Sequence, residues 1–217
     1  MVFDFIRSFL HLFFPERCQG CGIPGSALCT TCVRRIPMAP GLPRDTFAVF
    51  DYGNKLVKWS IRDLKYHRRS ERAHALTLAA LPAIEDYIAD IFQGYRAISF
   101  IFVPIPEHPR KHSMRGFNQS ALLAKWWATA IPGSSVHSYL TKTIFTLPQA
   151  RLNKSARLKN VANTMQCTMV LDPKQIYIIV DDVTTTGATF IEARRALGAA
   201  GAQKILCIAL AHGYANR

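Results

Sequence analysis

A short apolar run, Ile176 to Val180, leads directly into two carboxylates and a loop rich in hydroxyl groups. The carboxylates are Asp181 and Asp182, and the loop Thr184–Thr189 contains four threonines and one glycine. Carboxylate oxygens accept hydrogen bonds from sugar hydroxyls or hold Mg²⁺ through water. Threonine hydroxyls, a glycine and the N–H groups at the start of a helix bind phosphate. A ribose 5-phosphate, which has a diol beside its phosphate arm, would satisfy both halves of this stretch.

The elements that must position these residues form a strand–loop–helix unit. A run of this length and composition is typical of a strand buried on both faces of a parallel sheet. Residues 188–200 then follow a helical pattern. Ligands of open α/β sheets bind outside the carboxyl ends of the strands, which is where the loop lies. The alternative is an ordinary strand-to-helix turn with acidic residues near the helix start. The P-loop pattern Gly-x-x-x-x-Gly-Lys-Ser/Thr does not occur in the chain, which argues against a P-loop nucleotidase.

The ordered string from Ile178 to Thr189 resembles the phosphoribosyl pyrophosphate (PRPP) signature of type I phosphoribosyltransferases. The resemblance implies an acidic pair that contacts the ribose hydroxyls, a Thr/Gly loop that holds the 5-phosphate, and Mg²⁺ bound together with PRPP. It assigns to the PRPP site Asp181, Asp182, Val183, Thr184, Thr185, Thr186, Gly187, Ala188 and Thr189.

Four cysteines near the N-terminus have the spacing of a metal site. Cys18-x-x-Cys21 and Cys29-x-x-Cys32 form two knuckles whose four thiolates suit tetrahedral Zn²⁺. Because so short a segment cannot build a core, the metal would supply its folding energy. A set of four protein ligands leaves no open position, so the zinc would be structural. Disulfides, a redox pair and an iron–sulfur cluster are the alternatives.

The chain is expected to divide after the cysteines. Residues 36–46 contain three prolines and a glycine, which predicts a linker between a zinc-ribbon-like module, residues 1–45, and an α/β domain, residues 46–217. Residues 2–14 fit an amphipathic helix that is too short to span a bilayer. This helix docks on the protein's own core or, alternatively, on a membrane surface. No signal peptide is recognisable, so the expected location is the cytoplasm, with membrane association through this helix as the alternative.

The charge of the chain favours an anionic partner. Its 27 Lys and Arg against 14 Asp and Glu give a formal net charge of +13. A predicted helix over residues 54–72 concentrates this charge at steps of three and four residues, which would place one row of cations on one face. Single-stranded DNA would neutralise such a row, whereas a solvated face is the alternative and a break near His67 would divide it. The row comprises Lys55, Lys58, Arg62, Lys65, Arg69 and Arg72.

A second apolar strand, Ile98 to Val103, leads into prolines and a basic loop before a predicted helix over residues 118–130, which has Asn118 and Ser120 near its start. Arg110, Arg115 and Gly116 in this loop could form a second anion site, which suits a pyrophosphate. The strings Val-Pro-Ile-Pro, His-Pro and Arg-Gly-Phe-Asn-Gln in residues 103–119 resemble the ComF family of competence-associated phosphoribosyltransferase-like proteins, as does Leu-Lys-Tyr at residues 64–66. In that family a cysteine zinc knuckle precedes the transferase-like domain.

Residues 141–163 resemble a further ComF segment and fall where type I phosphoribosyltransferases carry a flexible loop that closes over the substrate. A basic surface hairpin is the alternative. The residues that the resemblance assigns to the loop are Lys142, Gln149, Arg157 and Asn160.

The predicted fold is therefore α/β, with a type I phosphoribosyltransferase-like, mostly parallel sheet flanked by helices and preceded by a zinc module. The ComF resemblance implies a PRPP-binding protein that handles single-stranded DNA during natural transformation. Its partners would then include the DNA-import machinery at the inner membrane. One alternative is an active transferase that moves ribose 5-phosphate from PRPP to a nucleobase or another nitrogen acceptor. A membrane-associated scaffold is a third reading.

Overall fold

The computed structural model describes residues 16–43, 45–66, 71–92, 99–107, 113, 116–142 and 163–214. The helices of these ranges are α1 Thr30–Arg34, α2 Lys55–Tyr66, α3 Glu71–Ala79, α4 Leu81–Phe92, α5 Gln119–Ala130 and α6 Ala188–Ala199. The strands are β1 Thr46–Asp51, β2 Phe100–Pro104, β3 Ser135–Val136, β4 Leu140–Lys142, β5 Met165–Cys167, β6 Ile176–Thr184 and β7 Lys204–His212.

Five strands form one sheet in the order β1-β7-β6-β2-β3, and all of its neighbouring pairs are parallel. Strands β4 and β5 form a separate antiparallel hairpin. The predicted α/β class with a mostly parallel sheet is confirmed.

Strand β6 lies in the middle of the sheet and is buried on both faces, as its apolar run predicted. Ile176, Ile178 and Val180 join the core that α2, α3, α4 and α5 cover. Tyr177 and Ile179 point to the opposite face, where α6 and the hairpin pack. The alternation follows from the two-residue period of a strand. Complete burial of an isoleucine or valine side chain stabilises the fold by about 1.5–3 kcal/mol, so β6 anchors the site that follows it.

The proline-rich segment that was predicted as a linker runs along the outer edge of β1. Met38 forms an antiparallel bridge with Phe50. The Ala39 N–H donates to the Val49 carbonyl at 2.9 Å, and the Asp51 N–H donates to the Pro37 carbonyl at 2.9 Å. The segment thus satisfies backbone groups that an edge strand would otherwise leave open.

The cysteine segment packs on α2 and α3. Cys18, Leu28 and Cys32 belong to the same buried cluster as Val57 of α2 and Leu76 of α3. Arg72 of α3 also donates a 2.8 Å hydrogen bond to the side-chain oxygen of Gln19.

Several predicted elements have different bounds in the structure. The sequence predicts a strand at residues 136–140, which the structure divides between β3 and β4, and a strand from Met165 to Leu171, which ends at Cys167. The N–H of Leu171 instead donates to the carbonyl of Ala200 after α6, at 2.8 Å. The sequence also predicts a helix over residues 71–93 that Pro82 kinks or divides, and the structure has two helices there. Pro82 lies in the first turn of the second, where its missing N–H has no intrahelical partner to lose.

In the ranges that the structure describes, no helix combines the length and apolar character needed to cross a membrane.

Candidate functional site

The acidic pair lies near the carboxyl end of β6, where the sheet opens on one side. Strand β2 pairs with β6 only as far as Val180, whereas β7 continues to pair with it up to Thr184. The strand is therefore longer than predicted, because it continues through both carboxylates. Asp181 and Asp182 are both half-buried at this edge, beside a gap on the β2 side.

Helix α5 fills that gap and holds Asp181. Asn118 caps the helix, since its side-chain oxygen accepts from the N–H groups of Ser120 and Ala121, and its amide donates to the Ile105 carbonyl at 2.8 Å. The Ser120 hydroxyl then donates to Oδ1 of Asp181 at 3.0 Å. Among the described residues, none donates to the other oxygen of Asp181. This oxygen is thus available to a sugar hydroxyl or to a hydrated cation.

Helix α2 holds Asp182 from the opposite side. The ammonium of Lys65, in the last turn of α2, lies 2.9 Å from Oδ2 of Asp182. Oδ1 of the same carboxylate accepts from the N–H of Val183 at 2.8 Å. The side chains of Lys65 and Asp182 are only 28% and 13% exposed, so water screens this ion pair incompletely.

Burial and mutual repulsion make the two carboxylates unequal. Burial and, after it, the nearby charge of Asp182 raise the pKa of Asp181 to about 7, against the lowering effects of the Asp182 N–H, Ser120 and Lys65. The attraction of Asp182 raises the pKa of Lys65 in turn, so this lysine keeps its charge. Asp181 can therefore exchange a proton near neutral pH while Lys65 stays cationic.

The loop between β6 and α6 has features that would favour a bound anion. Gly187 precedes α6 with a φ of 75°, a left-handed conformation that residues with a Cβ adopt only at a cost. The hydroxyl of Thr186 accepts from the N–H of Ala188 at 3.4 Å. No acidic residue lies in the first turn of α6, so the positive end of its dipole is not neutralised there. The assignment of this loop to the 5-phosphate stays a prediction.

Strand β7 and the end of β1 border the loop. His212 pairs in register with Thr184 of β6 and with Asp51 of β1. A Cβ on Gly213 would come within 3.2 Å of the Thr185 side chain and 3.5 Å of the Tyr52 ring. Burial lowers the pKa of His212, which keeps its imidazole neutral at physiological pH. The loop is thus backed by protein on the β7 side.

A pocket of about 700 Å³ opens beside the first turn of α5. Its walls are mostly apolar and include Pro106, Phe117 and Leu122, with Asn118 and Lys125 as polar groups. Gly116, which was assigned to the pyrophosphate side, also lines it and has a φ of 74°. Arg110 and Arg115 lie outside the described residues.

The residues assigned to the flexible loop are mostly outside the described ranges as well. Lys142 ends β4 and pairs with Met165 of β5. Gln149, Arg157 and Asn160 lie in the stretch 143–162, which the structure does not describe.

The predicted cationic row divides into two groups. Lys55, Lys58 and Arg62 are exposed on α2. Lys65 of the same helix contacts Asp182, whereas Arg72 lies on α3 and forms an ion pair with Asp63. Helix α2 ends at Tyr66, in agreement with the break foreseen near His67, and Arg69 lies outside the described residues.

Two residues of this site were missed by reasoning from sequence. Ser120 was noted only as a residue near a helix start, and Lys65 was assigned to the cationic row. No local pattern marks either contact, because each joins residues that are far apart in the chain. The Leu-Lys-Tyr string at residues 64–66, which resembles the ComF family, was the one available signal for Lys65.

The four N-terminal cysteines come together as their spacing predicted. Their sulfur atoms all lie within 4.8 Å of one another, and those of Cys21 and Cys29 are 3.6 Å apart. Tetrahedral zinc–thiolate bonds place sulfurs about 3.8 Å apart. A Cβ on Gly20 would lie 2.6 Å from the sulfur of Cys32, so the turn requires glycine. The donor set therefore fits a structural zinc ion.

The electrostatics of the cluster also suit a cation. Burial opposes ionisation of Cys18, but hydrogen bonds from the backbone of Cys29, Cys21 and Gly20 favour the thiolate and lower its pKa to about 6. Burial, hydrogen bonds with the other thiols and the charge of Cys18 raise the pKa of Cys32. Cys18 thus ionises readily, whereas ionisation of Cys32 beside it is unfavourable. A bound dication would remove this repulsion between neighbouring thiolates.

Known proteins resemble the chain over most of its length. DNA utilization protein YhgH of Escherichia coli (strain K12) is 32% identical over 193 residues, which cover 88% of this chain and 82% of that protein. YhgH of Salmonella typhimurium is 32% identical over 192 residues, with coverages of 87% and 80%. Competence protein ComFC of Bacillus subtilis (strain 168) is 29% identical over 204 residues, with coverages of 88% and 75%.

The other comparisons give less. No family model matches the chain. Phosphoribosylpyrophosphate synthetase from Mycobacterium smegmatis matches with a TM-score of 0.39 and 19% identity, over 62% of this chain and 33% of that one. Because YhgH is 32% identical over 88% of this chain, and ComFC is similar over the same share, the chain belongs to the ComF family.

Proposed function

We propose that the protein binds PRPP together with Mg²⁺ at the carboxyl end of β6 and takes part in the handling of single-stranded DNA. One observation carries the ligand assignment. Two carboxylates, each held by a different helix, stand directly before a glycine loop that opens α6. The carboxylates suit the ribose diol and the loop suits the 5-phosphate. A Mg²⁺ ion, when bound, would offset the charge of the pyrophosphate, and Asp181 is the carboxylate with an available oxygen to approach it.

The proposed role in DNA handling is supported by the positive charge on α2 and by the names of related proteins. Lys55, Lys58 and Arg62 form an exposed row on α2. Such a row suits the phosphates of a nucleic acid. The relatives are named for DNA utilization and competence. We extend this role to the present chain, with residues 1–45 as a module built on a structural zinc ion.

Phosphorus NMR of PRPP with Mg²⁺ and the purified protein tests the ligand assignment. Binding should broaden or shift the PRPP signals, and a double variant, Asp181→Asn with Asp182→Asn, should abolish the change. Asp90→Asn is the matched control, because Asp90 is exposed on α4. Unchanged PRPP signals at millimolar ligand would contradict the proposal.

A transferase reaction is the second candidate, and the pocket beside α5 favours it. Ala121, which lines the pocket, is the neighbour of Ser120, which holds Asp181. A planar nitrogen base between Phe117 and Leu122 could therefore reach a ribose on the acidic pair. Addition of a panel of nucleobases to the same NMR sample would release pyrophosphate with a true acceptor. Phe117→Ala should then slow release without abolishing PRPP binding.

A further inference from the structure

We infer that Lys65 is a ligand-binding residue of the phosphoribosyl site, where its ammonium is shared between Asp182 and a phosphate oxygen of the ligand. This inference rests on the proposed PRPP binding. Lys65 is then part of the small-molecule site and not of the DNA-binding row. It supplies that site with a positive charge.

The fold of α2 delivers Lys65 to the acidic pair. Val57, Ile61 and Leu64 are at most 1% exposed and fix one face of the helix against the sheet. The last turn therefore ends beside the carboxyl end of β6, and Lys65 Nζ lies 2.9 Å from Asp182. Arg62, one turn earlier, is exposed. The two cations share a side of the helix, but only Lys65 is deep enough to reach the site.

The charges around the pair make this cation important for an anionic ligand. Asp182 and Lys65 are charged groups that act on Asp181, and Lys65 in turn is influenced by both carboxylates and by Tyr52, which follows β1. Helix α5 contributes only the Ser120 hydroxyl. Without Lys65, two carboxylates would meet a ligand that is itself strongly negative.

The chemistry of an ammonium allows it to serve both partners. It has three donors, of which Asp182 takes one in the structure. The remaining donors can point to a phosphate while the carboxylate accepts from the ribose. A hydrogen bond between charged groups is about twice as strong as one between neutral groups, so its loss should be visible in the affinity.

The test compares Lys65→Gln with Lys174→Gln for PRPP binding with Mg²⁺, by calorimetry over a range of pH. Lys174 is an exposed lysine that precedes β6 at its opposite end, so both variants lose one positive charge. We expect Lys65→Gln to weaken binding roughly 10- to 100-fold and Lys174→Gln to leave it unchanged.

Lys65→Arg is the control that keeps the positive charge. Thermal melting of every variant shows whether the protein is still folded. The affinity of Lys65→Arg for PRPP should lie closer to that of the unaltered protein than to that of Lys65→Gln. Full affinity in Lys65→Gln, or the same loss in Lys65→Arg as in Lys65→Gln, would overturn the role of Lys65 while leaving PRPP binding established. Absence of binding by the unaltered protein would overturn the proposed function and this inference with it. Pyrophosphate and ribose 5-phosphate are then titrated separately into the unaltered protein and into Lys65→Gln. The ligand that loses affinity in Lys65→Gln is the one that Lys65 contacts. An unchanged affinity for both ligands would also count against this role of Lys65.

Discussion

The hydroxyl of Ser120 donates to Asp181 across the gap where β2 leaves β6, at 3.0 Å. This contact ties the first turn of α5 to the acidic strand end and favours the ionised carboxylate. Because α5 also lines the pocket, a ligand there and a ligand on Asp181 would share one supporting helix.

Removal of this hydroxyl should weaken the site without unfolding the protein. Ser120→Ala leaves Asp181 without the hydrogen bond that lowers its pKa, so more of the carboxyl is protonated at neutral pH. We expect PRPP affinity to fall by about threefold to tenfold at pH 7, since one hydrogen bond to a charged group is lost. The loss should shrink above pH 8. Titration calorimetry at both pH values measures this, and Ser99→Ala, exposed at the other end of the sheet, is the control.

Stability should change with pH because of Asp181. Its pKa is raised in the folded state, so the protonated form stabilises the fold. This contribution is complete below pH 4 and is lost as the pH rises through about 7. Asp181→Asn should therefore be more stable than the unaltered protein above pH 7, by up to a few kcal/mol. Urea unfolding at pH 5 and pH 8 measures the difference, and an equal difference at both pH values would count against this account.

The cysteine cluster should hold one zinc ion per chain. Elemental analysis of the purified protein is expected to show it, and Cys18→Ser or Cys32→Ser should remove it. Both sulfurs are buried in the core shared with α2 and α3, so loss of the metal should lower the melting temperature by several degrees. Cys167→Ser, outside the cluster, should keep the zinc. A folded protein without metal would refute the assignment.

Binding of single-stranded DNA should depend on the exposed row of α2 and on salt. Replacement of Lys55, Lys58 and Arg62 by glutamine should lower the affinity and reduce the slope of log K against log salt. The reduction should be about 0.7 for each phosphate contact removed. Fluorescence anisotropy of a labelled oligonucleotide over a salt series measures both quantities. The control is the double variant Lys174→Gln with Lys204→Gln, whose substitutions lie at the amino ends of the strands. An affinity for DNA that does not depend on salt would show that the row on α2 does not bind the phosphates.

The sequence predicts those parts of the fold and the site that depend on local patterns. The buried strand β6, the glycine loop and the cysteine knuckles each lie within about fifteen residues, and their chemistry follows from residue type and spacing. Lys65 shows where such reasoning ends. Helical spacing groups it with Arg62, but the depth of each side chain depends on how α2 packs against a strand much later in the chain.

The same limit applies to the hairpin and to the start of α5. The short strands β4 and β5 pair with each other although they are far apart in the sequence, so the bounds of each depend on the other. They also depend on Glu192 of α6, which accepts from the N–H of Met165 at 2.9 Å. Ser120 and Asn118 are both plausible helix caps by type. Only the position of β6 decides that Asn118 caps the helix and Ser120 turns to Asp181.

The bridge between Met38 and Phe50 limits where the chain can be truncated. A fragment that begins at residue 46 would keep the parallel sheet but lose the backbone partners of Val49 and Asp51. Its first strand would then present unpaired groups to other molecules, a common start of edge-to-edge aggregation. The sheet and the proline-rich segment before it are best expressed together, so a soluble truncation should begin no later than residue 36.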